Sequence, residues 1–143
     1  MKTERIITKL ITEFNTDNPF EISFLLGFYT YYAELPEGTR GFSFNYDGKS
    51  FICINQDLDE PMKTLTCAHE LGHLLLHKEL NAFKNANNSL SLPSRYEKEA
   101  DTFAAQLVLD KIDCYYDEQI TTDYIAKVYG IPERIVKLKY NIE

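Results

Sequence analysis

Apolar residues in this chain follow two rhythms, and turn residues mark where one gives way to the other. Over residues 2–14, Ile6, Ile7, Leu10, Ile11 and Phe14 recur three and four apart, so they share one stripe of a helix. Glu4 and Glu13 on so short a segment favour a stripe that packs on the domain over one that lies on a membrane surface. Residues 15–19 read as a turn with capping side chains, followed by a short helix through Leu26 that Gly27 can end. Residues 28–33 are aromatic and β-prone. A loop with Pro36 and Gly38 covers residues 34–40. Two more β-prone runs, 41–46 and 49–54, flank Asp47-Gly48, a dipeptide that marks a tight hairpin.

The helical rhythm then returns. Leu65, Ala68, Leu71, Leu75 and Leu76 recur at helical spacing within residues 59–80, and Pro61 suits a first turn behind Asp59 and Glu60, whose charges favour a helix N-terminus. Residues 78–93 are polar, with Asn81, Asn85, Asn87 and Asn88, and read as a long loop. Across residues 94–110, Ala100, Phe103, Ala104, Leu107 and Val108 form another stripe, with Ser94 and Glu97 in capping-box spacing at its start. The tail reads as helix, tight turn, helix over 124–140, with Gly130 at a helix end and Pro132 opening the next. Ala126 and Gly130 have the spacing of a DNA-binding helix-turn-helix, yet the second helix offers only Arg134, Lys137 and Lys139 against Glu133. A helical hairpin packed on the rest of the chain is the stronger expectation, and DNA binding is not expected.

Composition narrows the class. With 143 residues, 44% of them hydrophobic and 13% aromatic, the chain can bury a core without staples. Its net charge of −7 disfavours nonspecific binding to nucleic acid. Cys53, Cys67 and Cys114 form no C-x-x-C pair, so neither a disulfide framework nor a thiolate metal site is indicated. Lys2, Glu4, Arg5 and Lys9 interrupt the apolar residues near the start, so no signal peptide or membrane span is expected there. A soluble, cytoplasmic protein is expected.

The candidate chemistry lies in the longest helical stretch. His69-Glu70-Leu71-Gly72-His73 has the H-E-x-x-H pattern. Positions i and i+4 stack on one helix face, so both imidazoles can aim at one point. Zinc takes neutral imidazole nitrogens and, in a catalytic site, three protein ligands with water in the fourth place. Glu70 can reach that water as a general base. Gly72, costing about 1 kcal/mol in mid-helix relative to alanine, implies that something needs the space beside it.

A third ligand is sought on the second helix. Glu97 and Asp101 fall at the edge of its apolar stripe, whereas Glu99 lies about 160° from Glu97. A carboxylate drawn toward an apolar face needs a partner, and a metal would supply one. Glu97 is therefore the expected third ligand, and Asp101 is placed to accept the distal N–H of a ligating histidine. The competing reading has Glu97 merely capping the helix and Asp101 pairing with a surface cation. His77 is a weaker third ligand, because helical drift carries it about 80° off the line of His69 and His73. It is assigned to packing or hydrogen bonding. Tyr46, Tyr96 and Tyr115 are open candidates for stabilising an oxyanion.

HELGHLLLH (69–77) followed by EKEADTFAAQLVLD (97–110) resembles the ImmA/IrrE family of metallopeptidases, with support from FICIN (51–55) and TLTCAHE (64–70). The resemblance covers roughly residues 18–110. It implies a compact, gluzincin-like α+β domain encoded on mobile elements, prophages or stress-response loci. It also implies a peptidase whose members cleave a helix-turn-helix repressor. Carried over by position, His69, His73 and Glu97 match the zinc ligands and Glu70 the catalytic base, while Asp101 stands where the family commonly has Asn or Asp. Leu109-Asp110 departs from the Met-Pro or similar pair that often closes the motif. The expected architecture is a small antiparallel sheet of about three strands packed against the helical metalloprotease core, with a C-terminal helical hairpin. Residues 1–112 would form the zincin-like domain and 113–143 the hairpin packed on it. The alternative function is a non-catalytic regulator that binds a repressor or DNA, with a structural or vacant metal site.

Overall fold

A computed structural model describes residues 2–78, 93–112 and 120–141 of the chain. The polar stretch read as a long loop lies mostly outside these residues, as does Tyr115. The elements in order are α1 (Lys2–Phe14), α2 (Pro19–Leu25), β1 (Tyr29–Ala33), β2 (Gly41–Tyr46), β3 (Lys49–Asn55), α3 (Glu60–Leu76), α4 (Ser94–Val108), α5 (Thr122–Tyr129) and α6 (Glu133–Lys139). Together they make an α+β fold.

Local chemistry sets most of the boundaries. Asn18 Oδ1 accepts from the backbone N–H of Phe20 at 2.8 Å, and Pro19 follows it as a first-turn residue. Asp59 Oδ1 accepts from Met62 N–H at 2.9 Å, which starts α3 behind Pro61. Thr121 Oγ1 accepts from Tyr124 N–H at 3.1 Å to start α5. Asp47 and Gly48 have φ of 53° and 75°, the pair of positive values that a tight turn between twisted strands requires.

The sheet is mixed, which corrects the antiparallel expectation. Its order is β1-β3-β2, with β3 antiparallel to β2 but parallel to β1. The physical reason lies in β3, whose Ile52, Cys53 and Ile54 are essentially inaccessible to solvent and take the central position. Residues 34–40 carry the chain across the end of the sheet instead of folding β2 back on β1. That crossing is fastened where Asn55 N–H donates to Arg40 O at 2.7 Å and Asn55 Nδ2 donates to Thr39 O at 2.9 Å. Ile52 and Ile54 join the helical core, while Phe42, Phe44, Phe51 and Tyr29 stack in a row on the other face.

Helix α3 is the hub. Leu65, Cys67, Ala68, Leu71, Gly72 and Leu74 are all buried, so the helix is covered nearly all round, more widely than its stripe predicts. The sheet, α2 and α4 all pack against it. Gly72 meets α4 directly: a Cβ there would stand 3.0 Å from the ring of the fully buried Phe103. The missing side chain thus sets how closely α3 and α4 approach. The α5–α6 pair joins the same core through Ile125, Ala126, Ile131, Ile135 and Val136. Gly130, at φ 71°, ends α5 against Pro61 of α3.

On α1, Ile7 and Leu10 are buried, with Ile6, Ile11 and Phe14 packed beside them. That is the docking expected of the stripe. The capping box at residue 94 does not form. Pro93 occupies the cap position with no side-chain bond, and Glu97 turns its carboxylate elsewhere. Cys53 and Cys67 are buried free thiols, and burial among apolar neighbours pushes the Cys67 thiol up to about 12.

Candidate metal centre

Two helices from distant parts of the chain meet at one point. His69 and His73, one turn apart on α3, present their rings at 86° to each other with centroids 4.7 Å apart. Glu97, in the first turn of α4, reaches between them. Its Oε1 lies 2.7 Å from His73 Nε2 and its Oε2 lies 3.4 Å from His69 Nε2. One ligand atom from each of the three residues can be chosen so that all lie within 4.8 Å of one another. Glu97 therefore does not cap its helix; two imidazoles take its carboxylate.

The far sides of both rings are also held. His69 Nδ1 is 2.8 Å from Asp101 Oδ1, and Asp101 Oδ2 accepts from Arg134 Nη1 at 2.9 Å. Asp101 thus has both partners that the sequence offered as alternatives, a histidine and a surface cation. His73 Nδ1 is 2.9 Å from His77 Nδ1, and His77 Nε2 is 2.8 Å from Glu99 Oε1. His77 stands behind His73, in the hydrogen-bonding and packing position expected of it, with the Tyr96 ring against it edge-on.

Glu70 is buried between α3 and the sheet. Its Oε1 accepts from Ser43 Oγ of β2 at 2.7 Å. A cleft of about 350 Å³ opens in front of these groups, lined by His69, Glu70, Glu97, Asp101, Arg40 and Arg134 among others. Tyr46 is exposed and Tyr96 engages His77 and Arg95, and neither lines the cleft.

The electrostatics follow from this crowding. Burial acts to lower the His69 pKa, but hydrogen bonds to Asp101 and Glu97 outweigh it and raise it to about 10. Burial acts to raise Glu97, yet the His69 and His73 hydrogen bonds hold it far below the ordinary carboxylate range. Asp101 is likewise lowered, with burial overcome by His69 and Arg134. Burial dominates at His77 and lowers it. A pair of imidazoles, that of His73 buried and that of His69 partly exposed, facing one carboxylate is a donor set suited to a divalent ion.

Some of these residues were not singled out by sequence reasoning. Glu99 lies far from Glu97 around the helix, so an argument confined to one face sets it aside. Its signal was His77, whose ring needed a partner once it left the ligand line. Ser43 was legible in the alternation of β2, where Phe42 and Phe44 turn outward and leave a hydroxyl on the helix side. Arg134 had no local signal, because its role depends on how α6 docks.

Comparison with known proteins fits this arrangement. A family model described as the IrrE N-terminal-like domain, of the peptidase type, matches residues 26–141. The chain is 32% identical over 136 residues to uncharacterized immunity region protein 2 of Bacillus phage phi105, covering 93% of this chain and 85% of that one. It is 36% identical over 92 residues to metallopeptidase ImmA of Bacillus subtilis strain 168, covering 62% of this chain and 53% of ImmA. Among solved structures, a Mycobacterium tuberculosis transcriptional regulator superposes with a TM-score of 0.62 at 16% identity, over 99% of this chain and 46% of that one. That likeness speaks for the fold. The chain thus spans most of the phage protein but only about half of ImmA and of the regulator. With the family match spanning most of its residues, the chain belongs to the ImmA/IrrE family.

Proposed function

We propose that this protein is a zinc-dependent endopeptidase that cuts a protein substrate, a helix-turn-helix transcriptional repressor of a mobile element, prophage or stress regulon. The observation that carries the reading is the convergence of His69, His73 and Glu97 from two helices, with the far nitrogens of both rings already engaged. The names of the relatives, a metallopeptidase and a phage immunity region protein, point the same way. Residues 1–112 form the peptidase domain, and 113–143 add the hairpin that packs on it. The setting is the cytoplasm, where a repressor would be met. Among the described residues no helix is long and apolar enough to cross a membrane.

His69, His73 and Glu97 would hold the ion, and Asp101 would fix His69 with Nε2 turned to it. A bound zinc ion supplies Lewis acidity, which polarises the scissile carbonyl and brings the pKa of water toward neutrality. Glu70 takes the proton of the attacking water and returns it to the departing amine. Ser43, donating to Glu70 Oε1, keeps that carboxylate aimed into the cleft. The net charge of −7 and the pairing of Arg134 with Asp101 favour a peptidase over a DNA-binding reading.

The experiment is to measure bound zinc in the purified protein and follow cleavage of candidate helix-turn-helix repressors, with Glu70→Gln for comparison. The proposal predicts stoichiometric zinc in both and cleavage in the wild type alone, lost by roughly 10²–10⁴-fold in the variant. A zinc-loaded wild type that binds the repressor and leaves it whole would overturn it.

A further inference from the structure

The His73 ring ends on a second imidazole rather than on a carboxylate, and that second imidazole ends on Glu99. Resting on the metal-site reading above, we propose that His77 and Glu99 are positioning residues that set the tautomer of His73 so that its Nε2 lone pair is available to the metal.

A neutral imidazole has one donor and one acceptor nitrogen. If His73 offers the Nε2 lone pair, its Nδ1 carries the proton and must donate. The atom it meets is His77 Nδ1, 2.9 Å away, which must then accept. With its own Nδ1 bare, neutral His77 carries its proton on Nε2, and that N–H donates to Glu99 Oε1 at 2.8 Å. Both Nδ1 atoms and His77 Nε2 have matching partners in this direction, and His73 Nε2, 2.7 Å from Glu97 Oε1, is matched once a cation stands between the two. In the reverse direction, neutral His77 would donate from Nδ1 and turn a bare Nε2 toward the Glu99 carboxylate. Two acceptors would then face each other, and His73 would hold its proton on the side where the metal binds. The carboxylate, which can only accept when ionised, therefore chooses the metal-competent direction from two rings away.

The surroundings hold the relay in place. His77 is buried, and its backbone leaves helical geometry at φ −127° as the C-terminal cap of α3. That departure lets its ring swing behind His73 while its N–H still donates to His73 O at 2.8 Å. The Tyr96 ring packs against it edge-on, with centroids 4.6 Å apart. The Glu99 side chain is 56% exposed, so its role in the relay is separable from any role in the core.

The test measures zinc affinity of the full chain by competition with a chromophoric chelator, for wild type, His77→Phe, His77→Gln and Glu99→Gln. His77→Phe keeps the packing and removes the acceptor, and is expected to weaken zinc by about 10–100-fold. His77→Gln restores a carbonyl that can accept from His73 Nδ1 and should recover most of the loss. Glu99→Gln, whose amide can meet either direction, should fall between wild type and His77→Phe, with an unchanged unfolding temperature. A readout that packing alone does not move comes from long-range ¹H–¹⁵N spectra of the zinc-loaded wild type, where His77 should be the Nε2–H tautomer. Tight zinc binding in the wild type with equal affinity in all variants, or an Nδ1–H tautomer at His77, would overturn the relay and leave the metal site standing. A wild type that binds no zinc would overturn both.

Discussion

The two flanks of the site do the same job with different chemistry. On one side, His69 meets a carboxylate directly, and Asp101 is itself pinned by Arg134 from the C-terminal hairpin. On the other, the far nitrogen of His73, Nδ1, meets no carboxylate directly and is linked to Glu99 through the buried ring of His77. A direct anion raises the basicity of the ring it touches, and this is why His69 is held as a cation-favouring group despite its burial. An intervening neutral imidazole orients without bringing the charge close. The Asp101 flank also ties the site to a remote part of the chain, whereas the His77 flank stays within α3 and α4. One flank therefore touches the hairpin, and the other is local.

Variants can break that comparison in order of expected effect. Glu97→Ala, which removes the group shared by both flanks, should abolish stoichiometric zinc, measured by metal analysis after dialysis, while Glu99→Ala should retain it with weakened affinity. Equal losses from the two would mean that Glu97 has no special place. Next, Asp101→Ala should weaken zinc by about 10–100-fold and more than Glu99→Ala does, since it removes the direct anion. Arg134→Ala should have a smaller effect, because half-exposed ion pairs contribute only about 0–1 kcal/mol. If Arg134→Ala matched Asp101→Ala in zinc affinity, the hairpin rather than the carboxylate would be setting the His69 ring.

The flanks also differ in pH behaviour once a chelator has stripped the protein. The His69 pKa stands at about 10, raised above its ordinary 6.5. A raised folded-state pKa stabilises the fold fully below the unfolded value of 6.5 and loses that contribution as pH rises through about 10. Urea unfolding of the chelated protein should therefore show stability falling across that window, and His69→Gln should flatten the fall. Zinc needs the neutral ring, so loading the site should release a proton and remove the same slope. A fall of equal size in His69→Gln would assign it to other groups.

Sequence reading reached the parts of this molecule that depend on local geometry. The i, i+4 spacing of His69 and His73 put both rings on one face, and the angle of Glu97 to the stripe of α4 separated it from Glu99. The hairpin followed from Asp47-Gly48, and the helix ends from Asp59 and Gly130. Strand order was less accessible. The pairing of β1 with β3 is a long-range choice driven by the burial of Ile52 and Ile54, and no local signal states it. The capping box at Ser94 failed because two imidazoles are stronger partners for Glu97 than a backbone N–H. Gly72 was legible as a demand for space, but the ring that fills it, Phe103, belongs to the meeting of α3 and α4. Arg134 became part of the site only through the docking of α6.

On the proposed reading, one divalent ion sits between His69, His73 and Glu97. X-ray absorption at the zinc edge of the loaded protein tests it most directly. The expected spectrum has a shell of nitrogen and oxygen at about 2.0–2.2 Å, an imidazole signal equivalent to two rings, and no sulfur. The imidazole signal should drop to one ring in His73→Ala. A sulfur shell at about 2.3 Å, or a spectrum indifferent to His73→Ala, would contradict it.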